Sequence, residues 1–234
     1  SNTGVCVTLI QTEKGDLIIM YKNYIFDFDG TIADSSQCGV IATQHAYKKH
    51  NLNIPSKTTI QHYMGIPIEK SFPEMSEQQL SEGALAQLIE DFRDEYKNVE
   101  NKYLTLFPGI EEILIKLRNQ GVHMFMVSSK HSEVIDRNLT ILGIKDYFTE
   151  VVGSDKVDNY KPDPDGVNYI ARAHQLNKME TLYIGDAIFD IQMAKAADIA
   201  SCAVTWGSHS SRELMSQNPK FIVHNVNDLL TEIK

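Results

Sequence analysis

Apolar positions along this chain fall into two periods. Short continuous apolar runs occupy Tyr24–Phe28, His123–Ser128, Glu150–Gly153, Thr181–Gly185, Ser201–Val204 and Phe221–Val223. Runs of this length predict strands, and those without alternating polar positions predict strands buried on both faces, as in a parallel sheet. Helical periodicity fills the gaps. Ile110–Gln120 is amphipathic, and Gly121 stands where a glycine ends a helix. Ser132 is placed to cap a helix ending at Gly143, and Asp163 with Pro164 to open one reaching Leu176. Further helices are expected over Asp190–Ala197 and Asn227–Ile233. Between the first strand and the turn at Phe107-Pro108-Gly109 the pattern is helical only, over Ser35–His50, Thr59–Met64, Glu69–Met75 and Ser76–Lys97. Alternating β and α with short connections implies a parallel sheet with helices on both faces. The predicted fold class is therefore α/β, a doubly wound parallel-sheet (Rossmann-like) core with an all-helical cap domain. The core is expected over residues 20–34 and 105–234 and the cap over 35–104. Residues 1–19 read as a leader, an edge strand or added sequence, with Met20 as a natural start.

Composition narrows the partners. Of 234 residues, 42% are hydrophobic, enough for a substantial core, and the formal charge is -9. Such an acidic chain is not expected to bind nucleic acid or an anionic membrane surface, and its aromatic residues do not interleave with basic ones. Cys6, Cys38 and Cys202 are few and scattered, which predicts no disulfide framework and a reducing, cytoplasmic setting. No apolar run approaches the roughly 18 residues that span a bilayer. Val5–Ile10 lacks a preceding basic region, so no signal peptide is expected. The eight histidines show no metal-ligand spacing.

Candidate chemistry gathers at the ends of the predicted strands, where open α/β sheets place ligands. Asp27 and Asp29 close the first run and precede Gly30. Buried carboxylates are costly unless paired, hydrogen-bonded or bound to a cation, and two of them together call for one. Val127-Ser128-Ser129-Lys130 offers hydroxyl and backbone N–H groups at a strand-to-helix turn, suited to a phosphate oxygen. Lys161 is fixed by Pro162 just before a helix. Tyr183-Ile184-Gly185-Asp186 ends another strand in an acid, with Asp190 one helical turn further on.

In this order, these four motifs resemble those of the haloacid dehalogenase-like phosphohydrolases, and the best match is to the phosphoglycolate phosphatase-like members. The resemblance covers nearly everything after Met20. It implies Asp27 as nucleophile and Asp29 as general acid–base. It implies Mg2+ as cofactor, held by the carboxylates of Asp27 and Asp186 and the backbone carbonyl of Asp29. Ser128, Ser129 and Lys161 would then bind the phosphoryl group, and Asp190 would support the site as a partner of Lys161. Thr31 stands where sugar phosphomutases of the family tend to carry Val, which favours hydrolysis, and Asp29 argues against the dehalogenases. The segment His62–Lys70 resembles the relatives' specificity loop, which makes Tyr63, Glu69 and Lys70 candidates to face the leaving group. The expected activity is Mg2+-dependent hydrolysis of a small phosphorylated metabolite through an aspartyl-phosphate. Pyrophosphate, nucleotide and sugar phosphate substrates stay open, as do a mutase, a non-catalytic binder and the oligomeric state.

Overall fold

The computed structural model describes residues 21–230, together with the backbone of 9–11, 17–19 and 231. The leading strands β1 (Leu9–Gln11) and β2 (Leu17–Ile19) pair antiparallel with each other and not with the main sheet. The reading of the remainder of 1–19 lies outside the described residues. The chain then runs β3 (Asn23–Phe26), β4 (Ala33–Asp34), α1 (Ser36–Lys49), α2 (Lys57–His62), α3 (Ile68–Met75), α4 (Glu82–Tyr103) and β5 (Thr105–Leu106). Next come α5 (Ile110–Asn119), β6 (His123–Val127), α6 (Ser132–Leu142), β7 (Glu150–Val152), α7 (Asp165–Ala173), β8 (Thr181–Gly185) and α8 (Ile188–Ala196). The last elements are β9 (Ala200–Val204), α9 (Ser211–Met215), β10 (Phe221–Val223) and α10 (Asp228–Thr231).

Six strands form one sheet in the order β10-β9-β8-β3-β6-β7, every pairing parallel. Its faces are read directly from the alternation of side chains along each strand. Tyr24, Phe26, Met124, Met126, Leu182 and Ile184 pack into one core with Ile113, Leu114, Ile135 and Leu139. Ile25, Phe125, Val127 and Tyr183 pack on the opposite face with Val167, Ile170, Met193 and Ala194. Both faces are covered, which is why these strands lack polar alternation. Register matters for the site: Phe26 pairs with Ile184 on one side and with Met126 on the other. The residues that follow therefore leave three adjacent strands at one level.

Helices α1–α4 lie between β4 and β5, which pair antiparallel through Ala33 with Leu106 and Asp34 with Thr105. The chain leaves the core and returns to it side by side. These two-residue strands are too short to mark the hydrophobic pattern, and the sequence reading placed no strand there. Helix α4 starts six residues later than the expected Ser76. The Ser76 hydroxyl bonds the Gln78 carbonyl at 2.6 Å and its N–H ends α3, while Ser81 accepts from Ala84 N–H and caps α4. Similarly His131, not Ser132, caps α6, because the Ser132 hydroxyl is bonded to Asp155. Helix α7 begins at Asp165 with Asp163 accepting from its N–H, and it ends at Ala173, short of Leu176. Among the described residues no helix is long and apolar enough to cross a membrane.

Candidate active site

Asp27 follows the end of β3 and is buried. Its Oδ1 accepts from Phe28 N–H at 2.7 Å and from Lys161 Nζ at 2.9 Å. Lys161 also donates to Asp190 Oδ1 at 2.7 Å, and Asp190 Oδ2 accepts from Ala187 N–H at 3.0 Å. Asp190 is thus occupied at both oxygens. It holds the lysine ammonium. Burial works against the charge on Lys161, but Asp190 and then Asp27 outweigh it and hold the ammonium above its usual range.

Asp186 follows β8, buried beside Asp27. Thr31 Oγ1 donates to its Oδ1 at 3.1 Å and Ser208 N–H to its Oδ2 at 2.8 Å. Ligand oxygens of Asp27, Asp186 and Asp190 lie within 4.8 Å of one another. Burial, and then the charge of Asp190, push both Asp27 and Asp186 above the usual carboxylate range, with Lys161 opposing the shift at Asp27. Three buried carboxylates against one ammonium leave two negative charges uncompensated, the charge of one divalent cation. The donor set is all oxygen, which suits a hard cation such as Mg2+. Glycines let the backbone approach Asp186 closely. A Cβ on Gly207 would meet Asp186 Oδ2 at 2.4 Å and the Gly30 carbonyl oxygen at 2.3 Å. Gly30 itself adopts φ +81, and a Cβ there would meet Asp186 Oδ2 at 2.2 Å. The residues fit a hard divalent cation such as Mg2+.

Asp29 opens into a cavity of about 340 Å3 between the sheet ends and α1–α4. Its Oδ1 accepts from Ser35 Oγ at 2.5 Å and from Lys130 Nζ at 2.8 Å. Ser35 immediately precedes α1 yet caps nothing with its side chain, since its hydroxyl is turned to Asp29. Ser128, Ser129, Tyr63 and Glu69 line the same cavity, and the buried Ser129 hydroxyl has no hydrogen-bond partner among the described residues. Lys161, Asp186 and Asp190 lie outside the lining, buried around Asp27. Lys70 is not brought to the cavity. It is exposed, with its ammonium 5.8 Å from the Tyr160 ring centre. Glu69, which does face the cavity, is paired with Arg93 at 3.1 Å.

Several residues of this site carried no expected role. Ser35 and Gly207 gave no signal of their own. Thr31 entered only as a family discriminator, and its hydroxyl turns out to hold Asp186. Lys130 was legible as part of the phosphate-loop motif, but its partners Tyr96, on α4, and Asn138, on α6, were not. A second cluster, His62, His209 and Glu213, gathers where α2 meets the loop before α9. There His209 Nδ1 accepts from Ile188 N–H, and Glu213 Oε1 accepts from the Ser210 N–H and hydroxyl.

A doubly wound sheet whose central strands end at buried carboxylates, beside a buried lysine and beneath a cavity walled by inserted helices, is the frame of an enzyme. Residues 24–204 match the family described as haloacid dehalogenase-like hydrolase. Pyrophosphatase PpaX of Oceanobacillus iheyensis is 26% identical over 210 residues, covering 90% of this chain and 95% of that protein. Phosphoglycolate phosphatase of Vibrio parahaemolyticus is 30% identical over 215 residues, covering 89% of this chain and 94% of that protein. The crystal structure of a haloacid dehalogenase-like hydrolase from Bacteroides fragilis shares 27% identity and a TM-score of 0.84, covering 89% of this chain and 99% of that one. The chain belongs to the haloacid dehalogenase-like hydrolase family.

Proposed function

We propose that this hydrolase is a Mg2+-dependent phosphatase that cleaves a small, phosphoglycolate-like phosphomonoester through an aspartyl-phosphate on Asp27. Residues 35–104 would act as a cap over the core of 20–34 and 105–234. The observation that carries the reading is the contact of buried Asp27 with Lys161 beside Asp186, next to a cavity into which Asp29 opens. Phosphoryl transfer spreads negative charge over nonbridging oxygens, so positioning and electrostatics do most of the catalytic work. Bound Mg2+ would supply positive charge to the phosphoryl oxygens and to the Asp27 and Asp186 carboxylates.

The chain's own residues do the rest. A carboxylate oxygen of Asp27 attacks phosphorus, and the bond to the leaving oxygen breaks as Asp29 delivers a proton to it. Ser128 and Ser129 donate to nonbridging oxygens, and Lys161 balances their charge. Water then attacks the phosphorus of the aspartyl-phosphate while Asp29 takes its proton, which releases phosphate and frees Asp27. Tyr63 and Glu69, on the cavity wall, are placed to select the leaving group. A reducing cytoplasmic setting suits Cys38 and Cys202, both buried free thiols.

The relatives' names put phosphoglycolate and pyrophosphate first on a substrate panel, ahead of nucleoside monophosphates and sugar phosphates. Phosphate release is measured over that panel with Mg2+ and with EDTA, for the wild type and Asp27→Ala. Release that needs Mg2+ and disappears in the variant, by about a thousandfold or more, supports the mechanism. Mg2+-dependent release that survives in Asp27→Ala rejects it.

A further inference from the structure

Lys130 stands two residues after Ser128 and lines the cavity, where a lysine would ordinarily be taken for a phosphate ligand. Its hydrogen bonds say otherwise. The ammonium lies 2.8 Å from Asp29 Oδ1, 2.8 Å from Tyr96 Oη and 3.2 Å from Asn138 Oδ1. An ammonium has three N–H donors, and all three are engaged by protein. The charge also sits 4.6 Å from the Tyr96 ring centre and 5.1 Å from that of Phe28. Burial works against that charge, but Asp29 and Tyr96 raise its pKa above the usual lysine range.

Each partner is itself anchored. Asn138, fully buried in α6, donates to Glu100 Oε2 at 2.8 Å. Glu100, from α4, also accepts from Arg137 Nε at Oε1 and from Arg137 Nη2 at Oε2. The ammonium is therefore fixed by α4, α6 and the loop after β3 at once.

The consequence falls on Asp29. Ser35 and Lys130 both donate to Oδ1, and among the described residues no donor reaches Oδ2. A group that exchanges a proton with a leaving oxygen needs one oxygen held and the other open. We propose that Lys130 is a positioning residue for Asp29: it ties Oδ1 to the α4–α6 bridge so that Oδ2 is presented to the leaving-group oxygen. This rests on the acid–base reading of Asp29 given above. Lys161 is the phosphoryl-side cation, and Lys130 serves the leaving-group side.

The test compares an aryl phosphate, whose leaving group departs without a proton, with an alkyl phosphate that needs one. Wild type, Asp29→Asn, Lys130→Met, the double variant and Tyr96→Phe are assayed on both. Lys130→Met is expected to lower kcat about a hundredfold on the alkyl ester and less than about tenfold on the aryl ester, with KM nearly unchanged. It is expected to add little to Asp29→Asn. Tyr96→Phe, which leaves the fold least disturbed, should show the same split at about fivefold. Equal losses on the two esters, a rise in KM with kcat kept, or additivity with Asp29→Asn overturns the proposal. Equal losses on the two esters in Asp29→Asn would sink the acid–base reading separately, and should the wild type cleave neither ester, crystal structures of wild type and Lys130→Met decide the positioning. An Asp29 carboxylate that keeps its orientation without Lys130 refutes it, and one that rotates or becomes disordered sustains it.

Discussion

Thr31 shows how much of this site depends on atoms that touch no substrate. Its side chain is fully buried, and its hydroxyl donates to Asp186 Oδ1 while its backbone carbonyl accepts from Trp206 Nε1 at 3.0 Å. Thr31→Val keeps the shape and removes only the donor. Groups that orient a metal-binding carboxylate typically contribute about 10–100-fold in metal affinity or activity. Thr31→Val should therefore raise the Mg2+ concentration for half-maximal activity about tenfold, with little change at saturating Mg2+. An unchanged Mg2+ titration would mean that Ser208 N–H alone orients Asp186. Gly207→Ala is a harsher change. The new Cβ meets backbone at the Gly30 carbonyl as well as Asp186, and the backbone of a packed turn gives way poorly. Overpacking of this kind costs about 1–3 kcal/mol. The variant should melt several degrees lower and lose activity at all Mg2+ concentrations. Normal activity in a folded Gly207→Ala protein would show that the turn is softer than its close contacts indicate.

Among the elements, strands and helices differ in how plainly the sequence announces them. The strands of the main sheet were legible because burial on both faces leaves continuous apolar runs, and the acids at their ends then point to the candidate site. Helix starts were less legible, because a serine does not say which of two helices it serves. Ser76 and Ser81 are both competent caps, and only the tertiary placement of α3 gives Ser76 to one end and Ser81 to the other. Least legible were the long-range bonds: Asp29 and Lys130 stand 101 residues apart. Within the helical insert, α1 and α4 are joined by a similar bond. Asp91 of α4 accepts from His50 Nε2 at 2.6 Å and Lys49 Nζ at 3.1 Å at the end of α1. The His50 hydrogen bond, helped by Lys49 and opposed by burial, holds the Asp91 carboxyl below its usual range. A carboxyl lowered in the folded state contributes stability that is present above its unfolded value near pH 4 and is lost as pH falls through the folded value. Lys49 reaches solvent, so about 1 kcal/mol is a fair size for the contribution. Asp91→Asn should lower Tm by about 2–4 °C at pH 7, and the gap should close toward pH 3. A gap that stays constant with pH would assign the loss to packing rather than charge.

At the scale of the molecule, the buried acids of the candidate site work against the fold that carries them. The sheet buries Asp27, Asp186 and Asp190 around a single ammonium, and the first two are pushed toward protonation by that burial. Of the three, Asp27 and Asp190 bond Lys161 and Asp186 does not, so neutralising Asp186 without metal present relieves a buried charge that no ammonium pairs, which is stabilising or neutral. Bound Mg2+ reverses the balance, because a ligand that binds only the folded chain stabilises it by about 2.7 kcal/mol at a hundred times its dissociation constant. For a chain of this length that corresponds to about 5–10 °C in Tm. The wild type should therefore melt about 5–10 °C higher in saturating Mg2+ than in EDTA. Asp186→Asn should melt at or above the wild type in EDTA and gain little from Mg2+, so that the order of the two proteins inverts when the metal is added. Thermal melts of both proteins in both buffers decide this. A variant less stable than wild type in EDTA would mean that Asp186 serves the apo fold through Thr31 and Ser208. An equal Mg2+ shift in both would move the cation away from Asp186 altogether.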